Sequence, residues 1–414
     1  MSKRSFFCKV TALALVVVAA PAWAGEGSVT FHKDVLPILQ ENCQVCHRTM
    51  GADMGGMVAP MPLQAYKDVR PWAKAIAKQV SARSMPPWHA SQQYSGVFIN
   101  ERTLTDTEIA TITRWVETGA RPGNPADAPE PIDWPTSGWS IGEPDLIVTF
   151  DEPHWVGDDV TDEYANIEVT ITKEMLAETK WIQAAEIHNG SEVVHHVIAR
   201  PLAGNAPGIG ARFYKEGYGA RLDPGTVVTF NMHYHKEPGP GTGVWDQTEI
   251  GLKFHTKPVT HSLRSTAIGN RSFEIPPGHP NWKVGASMFF DKDTLLISMM
   301  PHMHLRGKDA KYTAYYPDGT TEKLLDVPLY DFNWQTPYEY PEGKLLPKGT
   351  RVDVEMHFDN SSDNPYNPDP TAKVVFAGPT TAEMMLGWIS ITDADPQSES
   401  NLANAAFDSE FDSD

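Results

Sequence analysis

The spacing of apolar positions changes twice along the chain. From residue 29 to about 120, "DVLPILQENC", "AYKDVRPWAKAIAKQVSAR" and "LTDTEIATITRWVETGA" carry apolar residues near helical spacing, which predicts short helices. In the third of these, Thr105 and Glu108 have the spacing of a capping box, and Gly119 stands where the helix should stop. Residues 121–140 hold five prolines and no period, so a semi-rigid linker is expected there. From about 141 to 392 the period falls to two. "DLIVTF", "NIEVTI", "TVVTFNMHYH", "TEIGLKF", "TLLISMMPHMH", "KYTAYY", "RVDVEMHF" and "AKVVFAG" alternate or run apolar over strand lengths, separated by Gly, Pro, Asn and Asp. Strands this frequent, without helical patterns between them, predict antiparallel sandwiches, and about 250 residues is enough for two, at 141–260 and 261–392.

Composition sharpens the picture at the two ends. The 414 residues hold 34 Lys+Arg against 53 Asp+Glu, a formal charge of -19, which excludes nucleic acid and anionic membrane surfaces as partners. Residues 1–24 run from Lys3, Arg4 and Lys9 through "ALALVVVAA" to Ala22-Trp23-Ala24, the order of a secretory signal peptide rather than a membrane anchor. Its removal makes the remainder still more acidic and places the protein in the periplasm. Residues 393–414 carry many acids and no base, and a disordered tail is expected.

Only three cysteines occur, and Cys8 would leave with the leader. The other two lie in "ENCQVCH", where Cys43, Cys46 and His47 form the C-x-x-C-H signature of covalent haem c attachment: two thiols for thioethers and one imidazole for iron. Residues 25–120 are therefore expected to be a small all-α cytochrome c domain. For the second axial ligand, Met85 is favoured because Pro86-Pro87-Trp88 holds the backbone extended; Met61 before Pro62 and an open, five-coordinate haem are the alternatives.

Histidine supplies the rest of the chemistry. Three groups fall in the strand-rich region: His195-His196, His233 with His235, and His302 with His304. The i, i+2 spacing of the last pair puts both rings on one face of a strand, about 7 Å of rise apart. In "TVVTFNMHYH", Val228, Phe230, Met232 and Tyr234 make the core face, which turns His233 and His235 toward solvent or a cleft. His195 and His196 are adjacent, so both can serve one metal only if the strand bulges, twists or ends there. Imidazole groups alone suit zinc as well as copper.

The strings "VVHHVIARP", "NMHYHKEPG", "MPHMHLRGK" and "TAEMMLGWI", in that order, resemble the copper type II, ascorbate-dependent monooxygenase family, which includes peptidylglycine and dopamine hydroxylating enzymes. The resemblance covers about residues 141–392, and the fused cytochrome is similar to those ahead of such domains in bacterial chains. It implies two copper ions, one held by His195, His196 and His233, the other, which binds oxygen, by His302, His304 and Met384, the methionine that follows the acid Glu383, with Met385 as the alternative. It also implies two consecutive jelly-roll-like β-sandwiches facing across a solvent-filled cleft. The expected fold class is thus an all-α cytochrome c domain followed by two antiparallel β-sandwich domains. The expected activity is hydroxylation of a C–H bond of a small organic substrate with O2, the electrons arriving through the haem from an external redox protein or ascorbate-like reductant. Two features depart from the family. The strand-rich region has no cysteine, and the positions that hold a peptide carboxylate elsewhere in the family are Met300, Leu386 and Trp388 here, which implies an apolar pocket. The alternatives are a haem and copper electron carrier or copper-handling protein, and a reductase or oxidase of a small inorganic substrate.

Overall fold

A computed structural model describes residues 29–48, 59–134, 138–205 and 209–397. The expected signal peptide and most of the acidic tail lie outside them. Among the described residues no helix is long and apolar enough to cross a membrane.

The expected fold class is corrected by the structure. The chain is mostly β, and its principal sheets make a four-blade arrangement, with no sizeable all-α domain ahead of them. Its α-helices are short: Leu36–Asn42, Tyr66–Val69, Ala73–Ser81 and Asp106–Glu117. They gather around a small core of Phe31, Leu39, Val69, Ile112 and Trp115. The longest is capped as its sequence predicts: the Thr105 hydroxyl accepts from the Glu108 amide, and the Glu108 carboxylate accepts from the Thr105 amide. Gly119 follows at φ +99, a left-handed conformation that a side chain would strain.

The physical reason that no separate helical domain forms lies in residues 88–100. This strap leaves the helices and inserts Tyr94 and Phe98, with Trp88 and Val97 partly buried beside them, into the core of the last two sheets. Its backbone is tied there too. The Ser91 amide donates to the Asp326 carbonyl at 2.8 Å, and the Ile99 amide donates to the Glu339 carbonyl at 2.9 Å. A helical period over residues 29–120 registers local preference only, and the strap's aromatic residues are satisfied by partners more than 200 residues away.

The first sheet orders its strands Leu146–Thr149, Glu249–Phe254, Lys180–His188, Tyr218–Leu222 and His261–Ser262, with Arg212–Phe213 also pairing with Lys180–His188. The second runs Asp162–Thr170, Val227–His235, Val194–Arg200 and Ala203–Asn205. One core lies between these two, built from Val148, Ile182, Ile250 and Leu252 on one side and Val197, Val228, Phe230 and Met232 on the other. The third sheet runs Arg264–Asn270, Met385–Asp393, Thr294–His302 and Tyr338–Leu346, and the fourth Trp282–Phe289, Arg351–Phe358, Gly307–Tyr315 and Thr321–Val327. Leu296, Met299, Ile389 and Ile391 meet Tyr312, Val352, Val354 and Met356 in the second β core.

Alternation explains these strands. In Arg351–Phe358, Val352, Val354, Met356 and Phe358 are buried while Arg351, Asp353, Glu355 and His357 stand outward. The third sheet turns its other face to the first two sheets: Ile297 packs on their core, and Arg212 donates to the Ser390 hydroxyl at 3.0 Å. That shared boundary brings the histidine groups together.

Candidate metal centres

The first centre is made by a fault in strand pairing. Val194 pairs with Tyr234 and His196 with His233, so the register shifts between Val194 and His196 and leaves His195 as the extra residue of a β-bulge. A regular strand would send His195 and His196 to opposite faces; the bulge lets both turn to His233. The Nδ1 atoms of His195 and His196 lie 3.2 Å apart, and those of His196 and His233 3.4 Å apart. Ligand atoms of all three rings lie within 4.8 Å of one another.

The Nε2–H of His233 donates to Asp162 at 2.9 Å, because a carboxylate only accepts, and this leaves Nδ1 with its lone pair facing the other rings. One ring proton can bridge one of the two short Nδ1–Nδ1 approaches, and a cation among the rings would satisfy all three nitrogens. Burial, reinforced by the neighbouring histidines, pushes His195 down to about 4 and His196 well below the usual 6.5. Burial also lowers His233, against the opposing pull of Asp162. Neutral rings with converging lone pairs suit a metal ion. His235 stays outside the cluster, its side chain 53% exposed and its Nδ1 bonded to the same Asp162 at 3.1 Å.

His233 turns away from the Val228, Phe230 and Met232 core as the alternation predicts, yet it is only 3% exposed. Tyr164 covers it, with rings stacked at 4.2 Å and 6°. The Tyr164 hydroxyl is hydrogen-bonded to Thr380, in the loop that leads to Met384. Phe332 stands between the two histidine groups, its ring centroid 6.2 Å from those of both His195 and His304. Aromatic side chains thus occupy the boundary where the family resemblance implies a solvent-filled cleft.

The second group sits at the end of the Thr294–His302 strand and the turn after it. The rings of His302 and His304 stand 5.3 Å apart at 88°. The Nδ1–H of His302 donates to the Gln335 side-chain oxygen at 2.5 Å, and the Nδ1–H of His304 donates to the Ala382 carbonyl at 3.3 Å. Each bond leaves Nε2 as the free ligand atom. Burial first, and then His302, pushes His304 down to about 3. Met384 reaches this neighbourhood through Glu383, whose carboxylate accepts the backbone amides of both His304 and Met384, at 2.8 and 3.3 Å. In register beside His302 stands Leu386, and two pairs further along Met300 is opposite Trp388.

Cys43 and Cys46 are both free and lie in the turn after Leu36–Asn42. Burial pushes the Cys43 thiol up to about 12. The Nδ1–H of His47 donates to the Met61 carbonyl at 3.1 Å, which fixes the ring and leaves Nε2 for iron. The same bond ties the Met61 backbone to the His47 ring. Met85 is 38% exposed, between helix Ala73–Ser81 and the strap that begins near Trp88.

Asp162, Tyr164, Phe332, Gln335 and Glu383 were not legible as site residues, because each acts by touching a ligand brought from elsewhere in the fold. Only Glu383 carried a sequence signal, its place next to Met384.

The buried histidines make stability depend on pH. An unfolded chain takes up protons near the ordinary histidine value of 6.5, whereas folded His195 resists them until about 4. The unfolded state therefore binds more protons in that window, and the metal-free protein should lose stability as pH falls from about 6.5 toward 4. Urea midpoints across that range should fall less steeply in His195→Gln than in the parent, and equal slopes would refute this account.

No protein-family model matches the chain, and no curated protein matches it. Among solved structures, a Paenibacillus xanthan lyase is 11% identical over 66% of this chain and 28% of its own, with a TM-score of 0.18. The VP2 subviral particle of infectious bursal disease virus is 11% identical over 55% of each chain, at 0.19. The STIV MCP is 7% identical over 53% of this chain and 97% of its own, at 0.20. Similarities this slight carry neither fold nor function to this protein.

Proposed function

We propose that the chain is an exported, copper-dependent monooxygenase that hydroxylates a C–H bond of a small organic substrate with O2, with electrons supplied through a covalent haem c. The reading is supported by one observation: three converging imidazole nitrogens from one pair of sheets lie across a shared boundary from His304 of the other pair, whose ring is 5.3 Å from that of His302. His195, His196 and His233 would hold one copper through Nδ1, and His302, His304 and Met384 the second. Cys43, Cys46 and His47 would hold the haem. Copper so held supplies one-electron redox change and activation of dioxygen, and a thioether, being soft, favours its reduced form.

The chain's own residues do the remaining work. Asp162, Gln335 and the Ala382 carbonyl orient the rings by accepting their outward N–H groups. Phe332, beside a ring of each group, and Tyr164, stacked on His233, would hold the rings in place. Leu386, Met300 and Trp388 offer an apolar wall beside His302, suited to an uncharged substrate and poorly suited to a carboxylate.

A second reading, a haem and copper electron carrier, is favoured by the same Phe332 and Tyr164, which fill space a substrate would need. Oxygen uptake separates the two. The copper-loaded, haem-loaded protein should consume O2 only with an organic substrate present and place one 18O atom from 18O2 in the product. Two coppers and one haem per chain are expected. Stoichiometric zinc in protein from copper-replete cells, or oxygen use never coupled to product across a broad panel of apolar substrates, would overturn the monooxygenase.

A further inference from the structure

His304 and Met384 are separated by 79 intervening residues and belong to different loops, yet one side chain touches both backbones. Glu383 is wholly buried. One carboxylate oxygen accepts the amides of His304 at 2.8 Å and Met384 at 3.3 Å, and the other accepts the amide of Arg306 at 2.7 Å. Around it the loops are tied a second time. Arg306, 1% exposed, donates from Nε to Asn360 at 2.9 Å and from its guanidinium to the Thr381 carbonyl at 2.8 Å. The Ala377 amide donates to the Glu383 carbonyl at 3.1 Å. The acid therefore joins the 303–306 turn to the 377–384 loop from within.

We infer that Glu383 is the positioning residue of the second centre, setting the reach between the His304 imidazole and the Met384 thioether by binding both backbones with one carboxylate. The inference rests on the proposed copper ligation. Its physical basis is independent of the metal: three backbone donors converge on one acceptor, and no neutral side chain of this length can accept all three. Glutamine is the closest in shape, but its NH2 would face a backbone N–H, donor against donor. Simple packing would be served equally well by an apolar residue.

The test is Glu383→Gln in the full-length, haem-loaded protein, titrated with Cu(I) and examined by X-ray absorption for a copper–sulfur distance. In E383Q the second copper should bind about 10- to 100-fold more weakly, the range seen when a group orienting a metal ligand is lost, and the sulfur contribution should vanish. The first copper and the haem spectrum should be unchanged. If E383Q fails to fold, Glu383→Asp carries the test: the charge is kept, the reach is one methylene shorter, and the sulfur signal should weaken while the first copper stays full. A wild-type protein that binds no second copper refutes the ligand assignment itself. Wild-type and variant proteins with the same second-site affinity and sulfur signal refute the role of Glu383 alone.

Discussion

Replacement of His196 with alanine is expected to remove one copper per chain and to abolish coupled hydroxylation, with the haem spectrum intact. His196 is the middle member of the first cluster, its Nδ1 3.2 Å from that of His195 and 3.4 Å from that of His233. Without it the remaining pair keeps two donors and loses the atom that links them. Loss of an orienting neighbour alone costs about 10- to 100-fold in metal affinity, and loss of a ligand should cost at least the upper end of that range. The substitution should also be tolerated by the fold, because His196 lies on the face of its strand away from Val197 and Ala199, which belong to the core. Copper analysis, circular dichroism and oxygen uptake together decide the matter. A variant that retains both coppers would show that the three rings are a histidine cluster and no more.

The second large effect is one of stability. Phe98 is 4% exposed and lies against Tyr94, Tyr338 and Tyr340, with ring centroids at 6.0, 5.5 and 5.2 Å. Phe98→Ala should cost about 3–5 kcal/mol, the usual price of removing a buried aromatic ring. The loss should register in the last two sheets, although residue 98 lies in the segment expected to belong to a separate cytochrome. Urea unfolding followed by tryptophan fluorescence gives the value, with Phe289→Ala as a control at a ring 71% exposed. A loss below about 1 kcal/mol would mean that the strap merely rests on those sheets.

How far the sequence could be read depends on the distance over which each residue is satisfied. Strand alternation in Arg351–Phe358 and the cap at Thr105 and Glu108 are local, and both are present as their patterns predict. Residues 25–120 are not autonomous because Trp88 and Phe98 pack on Tyr338 and Tyr340, partners that no local pattern announces. At the centres, the pattern of "VVHHV" required a bulge, and pairing with "MHYH" is where the bulge occurs. Asp162 and Gln335 had no comparable signal. A carboxylate or amide that accepts from a histidine is indistinguishable in sequence from any other surface polar residue until the fold brings the two together.

The strap also dictates an order of assembly. Tyr94 donates to the Lys323 carbonyl, and Asn100 exchanges hydrogen bonds with Pro337 and Glu339, across sequence separations of 229 to 239 residues. During synthesis none of these contacts can exist until the last third of the chain has emerged. Until then, the helices Leu36–Asn42 and Ala73–Ser81 belong to a segment without its final anchorage. Docking of the strap comes afterwards, because contacts of such sequence separation are the slowest of this topology to form.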